Sequence, residues 1–380
     1  MQKLAMTADG QSIQQIKVGP AIDSFAGQSV YLDLFDELNS LKDGQDINEW
    51  KALSYDWRKN PFDVVDEKVD RAFVPDYFIV DEIKMLAESS DTGKVTIITH
   101  SNGGLVAKAL MIRLKELGIE KLVDQIIFTA PPFHGTPKGM ASVLHGTGQG
   151  FGLFPITERV ARDTINNIPG AYTLIPTETL VDDKWGSDFY VEFDLDYPRI
   201  AELFPQYGSQ LNDYSEYANF LYDNEFRNNY LDTDRDLQRP KPVNNGMFAQ
   251  AFDTHRLLNA WQPDEDLQVS VIAGYGLPTI NGINYTVNPS LISPGTVKKT
   301  LLAQITTTTF GDETVVLGST DTDYETYYFD QENFRQASRI RASHAKFFTG
   351  KPVLVCIKQL LLGNECLESQ FLTKKKPISN

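Results

Sequence analysis

The stretch VTIITHSNGG, Val95 to Gly104, decides how the rest of the chain is read. Its β-branched run from Val95 to Thr99 has the composition of a buried strand. The next stretch, NGGLVAKALMIRLKELG, has that of a helix, with Gly118 at its C-terminal cap. Ser101 sits at the junction, among small residues. A parallel strand that turns sharply into a helix is where α/β proteins place reactive groups. In the elbow pattern G-x-S-x-G the serine occupies the strained turn, and small neighbours let strand and helix pass closely. Gly103 fills the second glycine position with Gly104 beside it, while Thr99 replaces the first glycine. The helix N-terminus offers its dipole and free N–H groups to a developing oxyanion, and the Asn102 N–H is the expected donor. Turns of this kind also bind phosphate or simply redirect the chain. The strand before the turn and the long helix after it favour a nucleophile.

Moving outward, ALSYDW (52–57) is a candidate strand, and the segment from Val64 to Ser89 has helical spacing interrupted at Pro75. VYLDLFDELNSL is an earlier helix and DQIIFTA the strand after the elbow helix. Strand and helix alternating at this spacing predict an α/β architecture, a mostly parallel sheet flanked by helical crossovers. From about 140 to 265 acids and aromatics mix, with Tyr214, Tyr217, Leu221 and Phe226 on one helical stripe and no clear buried strand. LQVSVIAGYG (267–276) returns to sheet character, and TVVLGST follows a Gly-Asp turn beside a strand. The expected division is a core of 1–139 and 266–368, a helical cap or lid over 140–265, and a solvated basic tail over 369–380.

A nucleophilic serine needs a base, and the base an orienting acid. In hydrolases of this architecture the chain order is serine, acid, histidine. Asp312 lies in the Gly-Asp turn, and His344 is the one histidine after it. Ser101 is therefore the expected nucleophile, His344 the base and Asp312 the acid. Glu313, Asp321 and Asp323 compete for the acid. His255 competes for the base but precedes Asp312 in a helical stretch. His100 adjoins the serine, and adjacent side chains at an elbow point apart.

Composition narrows the partners. Thirty-five basic against 51 acidic residues leave a net charge of −16, which disfavours nucleic acid and anionic headgroups. Any lipid contact is expected to be hydrophobic and transient. No apolar run approaches the ~20 residues that span a bilayer. The first residues, MQKLAMTADGQSI, lack the apolar core of a signal peptide, so the compartment is left open. Cys356 and Cys366 are either a disulfide or two separate thiols. The five histidines show no ligand spacing with them, so neither a metal nor a cofactor is expected.

With these residues identified, the chain resembles the lecithin:cholesterol acyltransferase-like family of α/β-hydrolases. The likeness rests on SYDWRKNP (54–61), THSNGG at the elbow, TAPPFHGTP (129–137), IPGAYTLIPT (168–177), and GDETV (311–315) with His344. It implies ester hydrolysis or acyl transfer on lipid substrates. The family pattern also has a strand ending in a glycine-containing loop upstream of YDWR, and residues 1–50 hold no such run. That strand would lie inside the sheet, so a longer protein is expected to supply it with a second oxyanion donor. Trp57 is expected to pack and Arg58 to anchor an ion pair. His134, after a strand end, and Phe151, Leu153 and Phe154, in the glycine-rich HGTGQGFGLFP, are the expected substrate-lining residues. Two other functions fit the same residues: apolar ligand binding without catalysis, and amide or other acyl hydrolysis.

Overall fold

Hydrophobic strands joined by amphipathic helices build a five-stranded sheet in this computed structural model, which describes residues 4–25, 28–148, 157–184, 189–223, 237–293 and 296–377. The chain divides into two compact units, one of 15–133, 254–278 and 309–380, the other of 1–14, 134–253 and 279–308.

The first unit holds the sheet. Its strands are β1 (Val95–His100), β2 (Val123–Thr129), β3 (Gln268–Tyr275), β4 (Glu325–Asp330) and β5 (Leu372–Thr373), in spatial order β5-β4-β3-β2-β1. β1 to β4 run parallel, and β5 pairs antiparallel with β4 through Leu372 and Phe329. Register places His100 opposite Thr129 and Thr129 opposite Ile272, so the carboxyl ends of β1, β2 and β3 lie at one edge. The central β2 is almost wholly buried, whereas most of β1, which pairs only with β2 among the described residues, is half-buried.

Helices cover the sheet through regularly spaced apolar residues. Leu34, Leu38 and Leu41 of α1 (Leu32–Asp43) join Ile127, Ile272, Phe329, Val353 and Ile357 in one core. α2 (Pro61–Asp66) starts where Asn60 caps the Phe62 N–H and Pro61 occupies the first turn. α3 (Ile79–Ser89) follows after an irregular segment in which Val69 and Tyr77 bridge. The helical spacing predicted around Pro75 is thus interrupted over all of 67–78, where bends and isolated bridges at Val69, Arg71 and Tyr77 replace it. α4 (Gly103–Glu116) follows β1, and α5 (Lys351–Leu361) carries Val353, Cys356, Ile357 and Leu360 inward.

In the second unit, strands Thr279–Ser293 and Thr296–Thr308 form a long antiparallel pair, and Tyr190–Phe193 runs parallel to Gly282–Tyr285. Helices accompany them, among them Pro137–His145 and Tyr214–Tyr222. No helix among the described residues is long and apolar enough to cross a membrane.

Three local expectations are corrected. ALSYDW is irregular: no described strand lies on that side of β1 to receive its backbone bonds. The 140–265 stretch does contain a strand, Tyr190–Phe193, which takes its ladder from residues far along the chain. TVVLGST is not sheet, because the Asp312 side chain accepts from Thr314 and Val315 N–H, turning the chain into a 3-10 helix over Leu317–Thr320. At the end of the chain, Lys374 pairs with Glu325 and Lys376 with Asp321.

Cys356 and Cys366 are disulfide-bonded, with Cα atoms 4.6 Å apart. The bond closes a short loop between α5 and the segment leading to β5. Reduction should therefore lower unfolding free energy by about 2–3 kcal/mol, the loop-closure entropy returned to the unfolded chain, and should be read by denaturant titration with and without thiol.

Candidate active site

The last residues of the parallel strands determine where Ser101 stands. Its φ is +55°, in the left-handed region that side chains rarely adopt. The strand ladder continues one residue into this turn, with the Ser101 N–H donating to the Thr129 carbonyl at 3.0 Å. Ala130, at the end of β2, repeats the device with φ +48° and an N–H bonded to Ile272 at 2.8 Å. α4 begins two residues after the serine. A methyl group on Gly104 would stand 2.9 Å from Pro131 Cβ, whereas one on Gly103 would meet Thr99 Cβ only at 3.6 Å. The glycine required by close approach is therefore Gly104, not the Gly103 that fills the motif position. The Asn102 N–H makes no hydrogen bond among the described residues and lies at the positive end of α4.

Asp312 reaches the serine from the carboxyl end of β3. Leu277, just past β3, bridges to Asp312 in parallel, which extends the sheet's edge into the turn. The carboxylate is 1% exposed and divides its oxygens. Oδ1 accepts from Thr314 and Val315 N–H at 3.1 and 2.8 Å, and Oδ2 lies 2.7 Å from His344 Nδ1. His344 Nε2 in turn lies 2.8 Å from Ser101 Oγ. The His344 N–H also donates to the Asp312 carbonyl at 2.9 Å, so backbone and ring are tied to the same residue. Space for this turn comes from Gly274, where a methyl group would press Asp312 Cβ and Gln331 at 3.0 Å and Phe347 at 2.8 Å.

Ser101, His344 and Asp312 are thus brought together, and the rival residues are engaged elsewhere. Glu313, at φ +84°, pairs with Arg341, and Asp321 pairs with Lys376. His255 is buried on the helix Asn245–Ala260. Asp323 adjoins Tyr324 and helps raise its phenol. His134 belongs to the other unit, where it is buried and its carbonyl accepts from the Thr177 N–H at 3.1 Å. Phe151, Leu153 and Phe154 lie outside the described residues, as does Phe226.

Around the elbow the structure adds partners that sequence reasoning missed. Burial raises the Tyr55 phenol well above its usual range, opposed in small part by the neighbouring Asn102 side chain. Arg58 anchors an ion pair as the sequence led us to expect, buried against Asp56 with Nη2 2.6 Å from Oδ2. Trp57 between them does not pack as expected and is 49% exposed, because the turn that buries Arg58 directs its neighbour outward. Lys108, on the buried face of α4, places Nζ 4.2 Å from the Phe133 ring centre and 5.7 Å from that of Tyr324. Burial pushes its ammonium down to about 8. The sequence signal for these roles was weak: a tyrosine before Asp-Trp-Arg and a lysine on an otherwise apolar helix face.

The sequence model of the lecithin:cholesterol acyltransferase family matches residues 20–322. No curated protein matches the chain. Among solved structures, one of the Tle4–Tli4 complex is similar at 16% identity over 69% of this chain, with a TM-score of 0.40. The chain covers 57% of that protein, less than two thirds of its length. The rice cell wall degrading esterase LipA from Xanthomonas oryzae is similar at 15% identity over 51% of this chain and 46% of that one, with a TM-score of 0.20.

Two outcomes are expected from this packing. Gly103→Ala should leave stability nearly unchanged, and Gly104→Ala should cost about 1–3 kcal/mol by overpacking against Pro131, measured by denaturant unfolding. For Lys108 the folded pKa lies near 8 and the unfolded value near 10.5. Between these values the unfolded chain binds more protons, so stability should rise as pH goes from 8 to 10.5. Lys108→Met should remove that rise and be neutral or stabilising at pH 7, as unfolding across pH would report.

Proposed function

The chain belongs to the lecithin:cholesterol acyltransferase family of α/β-hydrolases, and from that membership we propose that it is a serine-dependent lipid acyl hydrolase or acyltransferase working through Ser101, His344 and Asp312. The observation that carries this reading is the pair of short contacts in series, 2.8 Å from Ser101 Oγ to His344 Nε2 and 2.7 Å from Nδ1 to Asp312 Oδ2. The carboxylate only accepts, so the His344 Nδ1–H donates to it. Nε2 is then left as the acceptor for the serine proton.

In this scheme Ser101 Oγ attacks the carbonyl carbon of an ester while His344 Nε2 takes the hydroxyl proton. The oxyanion of the tetrahedral intermediate faces the Asn102 N–H at the start of α4. Collapse breaks the ester C–O bond, and the leaving alkoxide takes the proton from the imidazolium. The acyl group then rests on Ser101. Water then attacks the acyl carbon as Nε2 takes its proton, the acyl–Oγ bond breaks, Ser101 Oγ takes that proton back from the imidazolium and a carboxylic acid leaves; an alcohol attacking in the same way leaves as a new ester. Asp312 keeps the imidazole in the required tautomer and orientation throughout.

A fluorophosphonate probe should label Ser101, and Ser101→Ala should abolish both labelling and release of long-chain p-nitrophenol esters. Asp312→Asn should lower kcat by about 10⁴-fold through the wrong imidazole tautomer. Undiminished ester turnover by Ser101→Ala would sink the assignment.

A further inference from the structure

His100 is the residue immediately before the serine, and its ring turns away from the Ser101 hydroxyl toward the backbone of the base. Its Nε2 lies 3.0 Å from the His344 carbonyl oxygen, and its Nδ1 lies 2.9 Å from the Tyr31 hydroxyl. A carbonyl oxygen only accepts, so Nε2 carries the proton. Nδ1 is then an acceptor, and the Tyr31 hydroxyl donates to it. The two contacts therefore select one tautomer and one ring orientation. Tyr31 and Phe348 enclose the ring edge-on at 5.6 and 5.4 Å, and the His344 ring lies 4.9 Å away. Burial first, and then the neighbouring His344, push the His100 imidazole down to about 3, so it stays uncharged through the neutral range.

These bonds complete a set of restraints on His344. Its N–H is held by the Asp312 carbonyl, its Nδ1 by the Asp312 side chain, and its carbonyl by His100. Tyr31 adjoins the start of α1, and α1 packs against the sheet, so the last restraint is anchored in the core. We propose that His100, oriented by Tyr31, is a positioning residue that fixes the His344 backbone and thereby keeps Nε2 in line with the Ser101 hydroxyl. This rests on the reading of Ser101 as nucleophile and His344 as base.

The test compares wild type with His100→Leu, His100→Gln and Tyr31→Phe, each checked for folding by its thermal midpoint. The readouts are the rate of fluorophosphonate labelling at Ser101 and kcat and KM for an ester. His100→Leu should slow labelling about tenfold or more. His100→Gln, whose amide N–H can reach the same carbonyl, should recover most of that loss. Tyr31→Phe should lower kcat about three- to tenfold with KM unchanged, the effect of losing one hydrogen bond from a group that does not touch substrate. A folded His100→Leu that labels at the wild-type rate, or a Gln variant no faster than Leu, overturns the proposal. If His100→Leu does not fold, Tyr31→Phe decides, and an unchanged kcat overturns it. Wild type that fails to label Ser101 would instead remove the underlying reading of the serine, and this one with it.

Discussion

Two adjacent parallel strands end in residues with left-handed backbones, Ser101 and Ala130, and each is held there by one more rung of the sheet ladder. A non-glycine residue in this conformation costs about 1–3 kcal/mol and persists only where its surroundings leave no alternative. Here the surroundings are the N–H bonds to Thr129 and Ile272, both on neighbouring strands. Strain at the serine is therefore offset by the regularity of the parallel register behind it. A one-residue slip between β1 and β2 would break the Ser101–Thr129 bond and turn every β1 side chain to the opposite face. Through β2 and β3, the sheet and the elbow form one mechanical unit.

The same register explains how residues separated by more than 200 positions meet. β3 lies beside β2, and the chain leaving β3 at Leu277 bridges to Asp312 after a long excursion through the antiparallel pair 279–308. The return point is set by backbone pairing, and Gly274 leaves room for it. Asp312 uses its own side chain to close the turn in which it sits, since Oδ1 takes the Thr314 and Val315 N–H groups. The carboxylate cannot swing away from His344 without opening that turn.

Much of this was legible because it depended on local pattern. The β-branched run 95–99, the small residues after it and the long helix behind them specify the elbow without reference to anything distant. The order of Ser101, Asp312 and His344 is a property of chain topology, so it could be read with no coordinates. What could not be read was sheet pairing. ALSYDW has a strand's composition and lacks a described neighbour, whereas Tyr190–Phe193, set among acidic residues in the sequence, finds one in Gly282–Tyr285. The hairpin strands 279–293 and 296–308 carried a usable signal in their Thr- and Ile-rich runs, such as ITTTTF, but their Asn and Gly residues masked the alternation. Strand identity is decided by what lies alongside, and a single sequence does not contain that.

The motif glycines make the same point at atomic scale. The pattern G-x-S-x-G names positions 99 and 103, and this chain places threonine at the first and could hold alanine at the second by the contacts it makes. The close approach has moved one residue along, to Gly104 against Pro131, so the steric requirement is met outside the pattern that describes it. Thr99 is accommodated because its Cβ would meet a methyl group on Gly103 only at 3.6 Å, an ordinary van der Waals contact. A motif therefore records where close contacts fall in most relatives of a fold, while the physical requirement is only that strand and helix pass within van der Waals distance beside the serine. Any residue pair that meets that condition carries the elbow, and this chain meets it with threonine, proline and a displaced glycine.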